Sequence, residues 1–136
     1  MRKLFIASIA AVALAACGGD STAPPASIAG TYVLQTVNSA PLPFTVIATT
    51  DYKFEILSDS YQIRDDGTYS GTSQFRETLN GTATVETDNS TGTYTRAGSS
   101  ITLTDSVDPT DKFTGTVDGG TFTVTAEGFV LVYKKS

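Results

Sequence analysis

Few residues of this chain are of the types that carry out catalysis. The 136 residues include no histidine and a single cysteine, Cys17, so no imidazole can activate a serine or threonine as a nucleophile. Carboxylates fall into two groups with acid–base or metal-binding potential, the pair Asp65 and Asp66 and the spaced set Asp105, Asp108 and Asp111. The sequence therefore predicts a protein that is not an enzyme and holds no cofactor.

Each carboxylate group also has a structural interpretation. Asp66 precedes Gly67, and aspartate followed by glycine is a strong signal of a tight turn. The loop 105–111 offers the hard oxygen ligands that calcium prefers. However, it lacks the glycine and the distal glutamate of an EF-hand, and Pro109 stiffens it. We interpret the pair as a turn and the loop as solvated, and we predict no metal site.

Strand alternation directs two charged residues toward apolar neighbours. Glu77 shares its parity with Phe75, so a regular strand would turn it inward, where a carboxylate needs a partner or a proton. Arg96 has the parity of Tyr94 and is the candidate partner. The pair could anchor the polar end of a ligand in an apolar pocket. The alternative is a bulge near Gly71 that shifts the parity and sends Glu77 to solvent.

The first apolar run of the chain ends at the only cysteine. Arg2 and Lys3 precede the apolar segment 4–16, which is the layout of a secretory signal. This segment is too short for the roughly 20 residues of a membrane-spanning helix. The sequence Leu14-Ala15-Ala16-Cys17 resembles the lipobox of bacterial lipoproteins. In that family the cysteine thiol receives a diacylglyceryl group, the peptide is cut just before it, and the new amino terminus is usually acylated, as with palmitate.

The resemblance implies a lipid-anchored protein of the bacterial cell envelope. Residues 1–16 would be the signal peptide, 17–28 the lipidated Cys17 with a flexible linker of small, polar and proline residues, and 29–136 the folded domain. Gly18 rather than aspartate follows the cysteine, so the inner-membrane retention signal of some lipoproteins is absent. We therefore expect attachment to the outer membrane, facing the periplasm or the exterior.

Composition limits the partners and the fold class. The net charge is −5, and removal of Arg2 and Lys3 makes the remaining chain more acidic, so we expect no nucleic-acid partner. A single cysteine excludes an internal disulfide. Threonine, glycine, valine, tyrosine and phenylalanine are plentiful, and β-branched and aromatic residues suit a half-buried pleated surface. The expected class is all-β.

Alternating segments and turn signals predict an antiparallel up-and-down meander of about eight to ten strands. Gly-Thr-aromatic tripeptides at 30–32, 67–69, 92–94 and 120–122 are expected to begin strands. Residues 52–63 form either one long bent strand or two short ones. The other expected strands are 30–37, 44–49, 68–79, 82–87, 92–96, 100–105, 112–117, 121–125 and 129–134.

A meander of this length must hide its edges, and closure into a barrel does so completely. Gly30-Thr31-Tyr32 and the run from Gly92-Thr93-Tyr94 through Tyr133-Lys134 resemble bacterial lipocalin-like lipoproteins, over residues 29–136. The resemblance implies a lipocalin-like barrel. A two-sheet sandwich would use the same alternation.

Aromatic side chains with inward parity would fill such a barrel or surround one small ligand. They are Tyr32, Phe54, Tyr61, Tyr69, Phe75, Tyr94, Phe113, Phe122 and Tyr133. The residues predicted to line a ligand site are these rings apart from Tyr61 and Tyr133, together with Glu77 and Arg96. The predicted function is non-enzymatic binding of a small apolar ligand. The alternative is an envelope module with a filled core that binds another envelope protein.

Overall fold

The computed structural model describes residues 25–136, which form ten antiparallel strands. The strands are β1 Gly30–Val37, β2 Ala40–Pro41, β3 Phe44–Ala48, β4 Tyr52–Ile63, β5 Thr68–Leu79, β6 Thr82–Ala97, β7 Ser100–Asp105, β8 Lys112–Asp118, β9 Thr121–Ala126 and β10 Phe129–Lys135. The predicted signal segment 1–16 and Cys17 lie outside the described residues.

Eight of the strands close into a barrel in the order β1, β10, β9, β8, β7, β6, β5, β4. Closure is made by β4, whose residues 60–63 pair with residues 30–33 of β1. The short β2 pairs with the end of β1, and β3 pairs with residues 53–56 of β4. The predicted up-and-down barrel is confirmed, and closure removes the edges that an open sheet of this length would expose.

The segment 52–63 is one continuous strand with a β-bulge. The pairing of β4 with β5 is regular up to Ile56 and resumes at Ser58, which leaves Leu57 as the extra residue. A bulge reverses the alternation of the strand beyond it. As a result Ile56 and Asp59 point to the same face of the sheet, although their sequence parity differs.

The expectation of two separate strands at 82–87 and 92–96 is wrong, because β6 runs unbroken from Thr82 to Ala97. Its first part pairs only with β5, and its pairing with β7 begins at Gly92. The strands β4, β5 and β6 therefore continue beyond the barrel. Together with β3 they form what we call the projecting sheet, made of residues 44–48, 52–58, 73–79 and 82–90.

The segment 25–29 covers the end of the barrel at which β1 begins, which we call the closed end. Ile28 is buried, and its carbonyl oxygen accepts a hydrogen bond from the Tyr32 hydroxyl at 2.8 Å. The Arg96 guanidinium donates to the carbonyl oxygen of Ala26 at 2.6 Å. These contacts bind the chain that precedes β1 to the barrel, so any segment that precedes Pro25 joins the domain at this end.

Buried apolar side chains fill the barrel above the closed end. The largest fully buried ones are Tyr32, Tyr69 and Phe122. The ring of Phe122 packs edge-on to Tyr32, with centroids 6.1 Å apart, and lies 5.4 Å from the ring of Tyr133. Dense packing of this kind leaves little free volume for a ligand. This part of the barrel is a plug.

Candidate functional site

A cavity of about 380 Å³ lies at the other end of the barrel, which we call the open end. It is bounded by β4, β8, β9 and β10 and by the turn at Glu127. Its volume lies near the lower limit of small-molecule sites, which measure about 300 to 1,000 Å³. Apolar walls come from Val124, Ala126 and Leu131, and the rim carries Asp111, Lys112 and Glu127.

Three aromatic rings form the floor of this pocket. Tyr61 is central, with its ring centroid 5.5 Å from that of Phe113 and 5.6 Å from that of Tyr133. Beneath them, Phe122 packs edge-on to Tyr61 at 6.4 Å. Rings held from several sides lose little further freedom when a ligand contacts them. The floor is therefore a preformed apolar surface.

One carboxylate is buried beside the aromatic floor. Asp59 is 8% exposed and lines the pocket. Its Oδ2 accepts a hydrogen bond from the Tyr133 hydroxyl at 2.6 Å, and its Oδ1 accepts one from the Ser73 hydroxyl at 2.8 Å. Among residues 25–136 no lysine or arginine lies within the 4.0 Å of an ion pair with it. Burial raises the pKa of the Asp59 carboxyl, although its hydrogen bonds act in the opposite direction.

Burial and the neighbouring Asp59 also raise the pKa of the phenols of Tyr61 and Tyr133 well above their usual value. Both hydroxyl groups therefore remain protonated at neutral pH. The Tyr133 hydroxyl donates to Asp59 Oδ2, and toward an ionised carboxylate a phenol can act only as a donor. The polar part of the floor is thus a fixed network of neutral donors around one acidic group.

The buried carboxyl predicts a pH-dependent stability. The pKa of the Asp59 carboxyl in the folded state is raised above the ordinary 3.8. The wild-type protein therefore loses stability as pH rises from 3.8 to this raised pKa. Asp59→Asn removes this loss. We expect its unfolding free energy, relative to wild type, to increase as pH rises above about 4 in urea titrations.

Glu55→Gln is the control of opposite sign. Hydrogen bonds from Arg76 and Lys53 lower the pKa of the Glu55 carboxyl to about 2. Wild type therefore gains stability as pH rises from about 2 to the ordinary 4.5. Relative to wild type, Glu55→Gln should lose stability over that interval. If the unfolding free energies of the two variants, each relative to wild type, changed in the same direction with pH, the opposite pKa shifts of Asp59 and Glu55 would be contradicted.

The structure separates the residues predicted for a ligand site. Phe113 alone among them lines the open-end pocket. Tyr32, Tyr69 and Phe122 belong to the plug beneath it. Tyr32 and Arg96 also line a smaller cavity of about 250 Å³ at the closed end. Tyr94 lies toward the closed end, where its hydroxyl donates to the carbonyl oxygen of Arg64 at 2.7 Å.

The predicted anchor of Glu77 and Arg96 is wrong. The predicted parity of Glu77 holds, because the pairing of β5 with β6 has no bulge at Gly71. However, Glu77 lies in the projecting sheet, opposite Phe54 of β4 and Thr84 of β6. Arg96 lies at the other end of β6 and donates to the backbone of Ala26 and Gly98.

Phe54, Phe75 and Glu77 share one face of the projecting sheet rather than the barrel interior. The rings of Phe54 and Phe75 are stacked, with centroids 5.4 Å apart. Partial burial and a hydrogen bond with Glu77 raise the pKa of the Tyr52 phenol. These residues are absent from the pocket because the parts of β4 and β5 that carry them extend past the closed barrel.

Asp59 is the site residue that the sequence interpretation missed. It shares its parity with Tyr61 and Ile63, which was a usable signal. Because the sequence allows either one long bent strand or two short ones over 52–63, it assigns no inward direction to Asp59. Tyr61 and Tyr133 were placed in the barrel interior but not in the ligand site.

The two exposed carboxylate groups order loops. Asp66 Oδ1 accepts hydrogen bonds from the backbone and hydroxyl of Thr68 at 2.9 and 2.6 Å. Asp105 Oδ1 accepts from the backbone of Val107 at 2.6 Å, and Asp108 Oδ1 accepts from the Thr110 hydroxyl at 2.6 Å. Within residues 25–136 no three or more histidine, cysteine or acidic side chains converge as metal ligands.

Comparison with protein-family models, curated proteins and solved structures finds no match for this chain. No helix within the described residues has the length and apolar character needed to cross a membrane. The fold and the pocket chemistry are the observations from which a function can be argued.

Proposed function

We propose that this protein is a lipid-anchored envelope protein that binds one small, mostly apolar ligand at the open end of its barrel, without catalysis. The observation that carries the proposal is the cavity of about 380 Å³ with its aromatic floor of Tyr61, Phe113 and Tyr133. Binding sites for small molecules combine apolar walls with a few placed polar groups. Asp59 is such a group, because it is held by hydrogen bonds beside the floor.

The segment that leads into β1 supports a lipid anchor at Cys17. Residues 25–29 lie at the closed end, so a tether from the membrane would join the barrel opposite the pocket. The open end would then be free to receive a ligand. Mass spectrometry of the protein purified from membranes tests this part: we expect a chain that begins at a lipidated Cys17, and an unmodified thiol there would refute the anchor.

Nile red, a neutral dye that fluoresces in apolar surroundings, tests the pocket. We expect saturable binding to wild type. Ala126→Phe should weaken it by about tenfold or more, because Ala126 lines the cavity and the new ring occupies the space of a ligand. Ala83→Phe is the matched control, since Ala83 is an exposed residue of the projecting sheet. Equal dye binding by all three proteins would refute a ligand site in this pocket.

A binding module for another envelope protein is the second candidate, and the projecting sheet favours it. Within the described residues, one edge of β6 has no partner strand over 82–90. Ile47, Leu79 and Val85 in this sheet are 47%, 56% and 56% exposed. A free strand edge can pair with a strand of another protein. This candidate is favoured if Nile red does not bind, or if its binding is unchanged by Ala126→Phe.

A further inference from the structure

We infer that the ligand of the open-end pocket carries a positively charged amine, which contacts Asp59 and the aromatic floor. The inference rests on the proposed function, because it specifies the chemical class of ligand for the same pocket. Its support comes from the charge around the cavity, from the surroundings of Asp59 and from the arrangement of the rings.

The charged side chains of the pocket are mainly acidic. Asp59, Asp111 and Glu127 all line the cavity, whereas Lys112 is the one cationic side chain among its described lining residues. An anionic ligand would meet three carboxylates and only one ammonium group among these side chains, so the net effect of their charges would be repulsion. A cationic ligand would be attracted by the same field, and the low-dielectric walls of the cavity strengthen that attraction.

Asp59 has acceptor capacity and no counter-ion within the described chain. Its carboxylate accepts hydrogen bonds from the neutral hydroxyls of Tyr133 and Ser73, one on each oxygen, and from the backbone of Ser60. An ionised carboxylate offers about four acceptor positions, so a position remains for a further donor. A buried anion is unfavourable without a compensating positive charge. An ammonium group of the ligand would supply both the charge and the donors.

The aromatic floor suits the same ligand. Cations bind the faces of aromatic rings at up to about 6 Å from the centroid. Tyr61, Phe113 and Tyr133 bring several ring faces and edges together beside Asp59, with centroids 5.5 and 5.6 Å from that of Tyr61. The rings can contact the apolar body of an amine and its charged group at once. A neutral ligand would gain only the first of these contacts.

Three indole probes of similar size separate charge from apolar contact: tryptamine is a cation, 3-ethylindole is neutral and indole-3-acetate is an anion. Each is titrated against bound Nile red, and tryptamine binding is also measured directly by calorimetry. We expect tryptamine to compete about tenfold more strongly than 3-ethylindole. Indole-3-acetate should be the weakest competitor, because the acidic residues of the pocket repel it.

Asp59→Asn keeps the shape of the side chain and removes its charge. The advantage of tryptamine over 3-ethylindole, which compares two probes on the same variant, should fall to about threefold or less. Exposed rim residues give a second test that does not depend on the buried site. Asp111→Asn combined with Glu127→Gln should weaken tryptamine about threefold. Lys112→Gln is the control of opposite sign and should strengthen it.

The outcomes distinguish this inference from the proposed function. If Nile red binds and Ala126→Phe blocks it, but tryptamine competes no better than 3-ethylindole, the pocket stands and the amine is refuted. A tryptamine advantage that survives both Asp59→Asn and the rim variants also refutes it. If dye binding is insensitive to Ala126→Phe, the proposed function fails, and the inference fails with it.

Discussion

Phe122→Ala is expected to destabilise the barrel by about 4 kcal/mol, measured as a lower midpoint of urea unfolding at unchanged slope. Phe122 is 1% exposed and lies at the centre of the plug. Its ring centroid is 6.1 Å from Tyr32, 6.4 Å from Tyr61 and 5.4 Å from Tyr133. Removal of this ring leaves a cavity surrounded by rings on β1, β4 and β10, which cannot collapse together without disturbing the barrel.

Phe54→Ala is the matched control for this prediction. Phe54 is only partly buried, lies in the projecting sheet and stacks on Phe75. Loss of one such pair should destabilise by roughly 1 kcal/mol. If the two variants were equally destabilised, the distinction between a packed plug and a peripheral sheet would be wrong. Because the floor of the pocket rests on Phe122, we also expect Phe122→Ala to weaken Nile red binding.

The contrast between Phe122 and Phe54 shows which part of their surroundings the sequence could predict. Alternation correctly assigned both rings to the inner face of their strands. It carries no information about where the neighbouring strands end. β9 lies within the closed barrel, so Phe122 is enclosed by other strands. β4 and β5 pass beyond the barrel, and Phe54 therefore faces inward over a region that no opposite wall covers.

The pocket was harder to predict than the fold because it depends on one irregular residue. The antiparallel meander follows from many consistent signals, since every strand alternates and every short turn favours an antiparallel neighbour, and these signals suit a barrel and a two-sheet sandwich alike. The direction of Asp59 relative to Tyr52 and Phe54 depends on the bulge at Leu57. A bulge is set by the pairing of two strands, and composition alone does not locate it. Parity with Tyr61 directs Asp59 inward and parity with Phe54 directs it outward, so the sequence alone allows both directions and the bulge decides between them.

The roles of the glycines also depend on strand pairing, which the sequence alone does not locate. The Gly-Thr-aromatic tripeptides were expected to begin strands, and Gly30 does begin β1. Gly92 instead lies inside β6, at the first residue that pairs with both β5 and β7. It is the corner at which β6 passes from the projecting sheet into the closed barrel. Its role is to allow close approach between strands, which is a property of the folded barrel.

Gly92→Ala is accordingly expected to destabilise the protein by about 3 kcal/mol, at the upper end of what overpacking causes. A β-carbon at this position would overlap the carbonyl oxygen of Thr104 in β7 and approach the ring of Tyr69 to 2.8 Å. The first contact is with backbone, so it can be relieved only by displacing β7 from β6. The second is with a buried ring that packs against Tyr61.

Gly67→Ala provides the comparison, because it is strained for a different reason. Gly67 has a φ of 85°, and a β-carbon there would meet no atom within 4 Å. The left-handed conformation alone should lower stability by about 1–2 kcal/mol. Urea unfolding of both variants separates the two effects. A loss for Gly92→Ala no larger than that for Gly67→Ala would mean that β6 and β7 can move apart at this corner. In that case the barrel wall would be more deformable than the packing around Tyr69 implies.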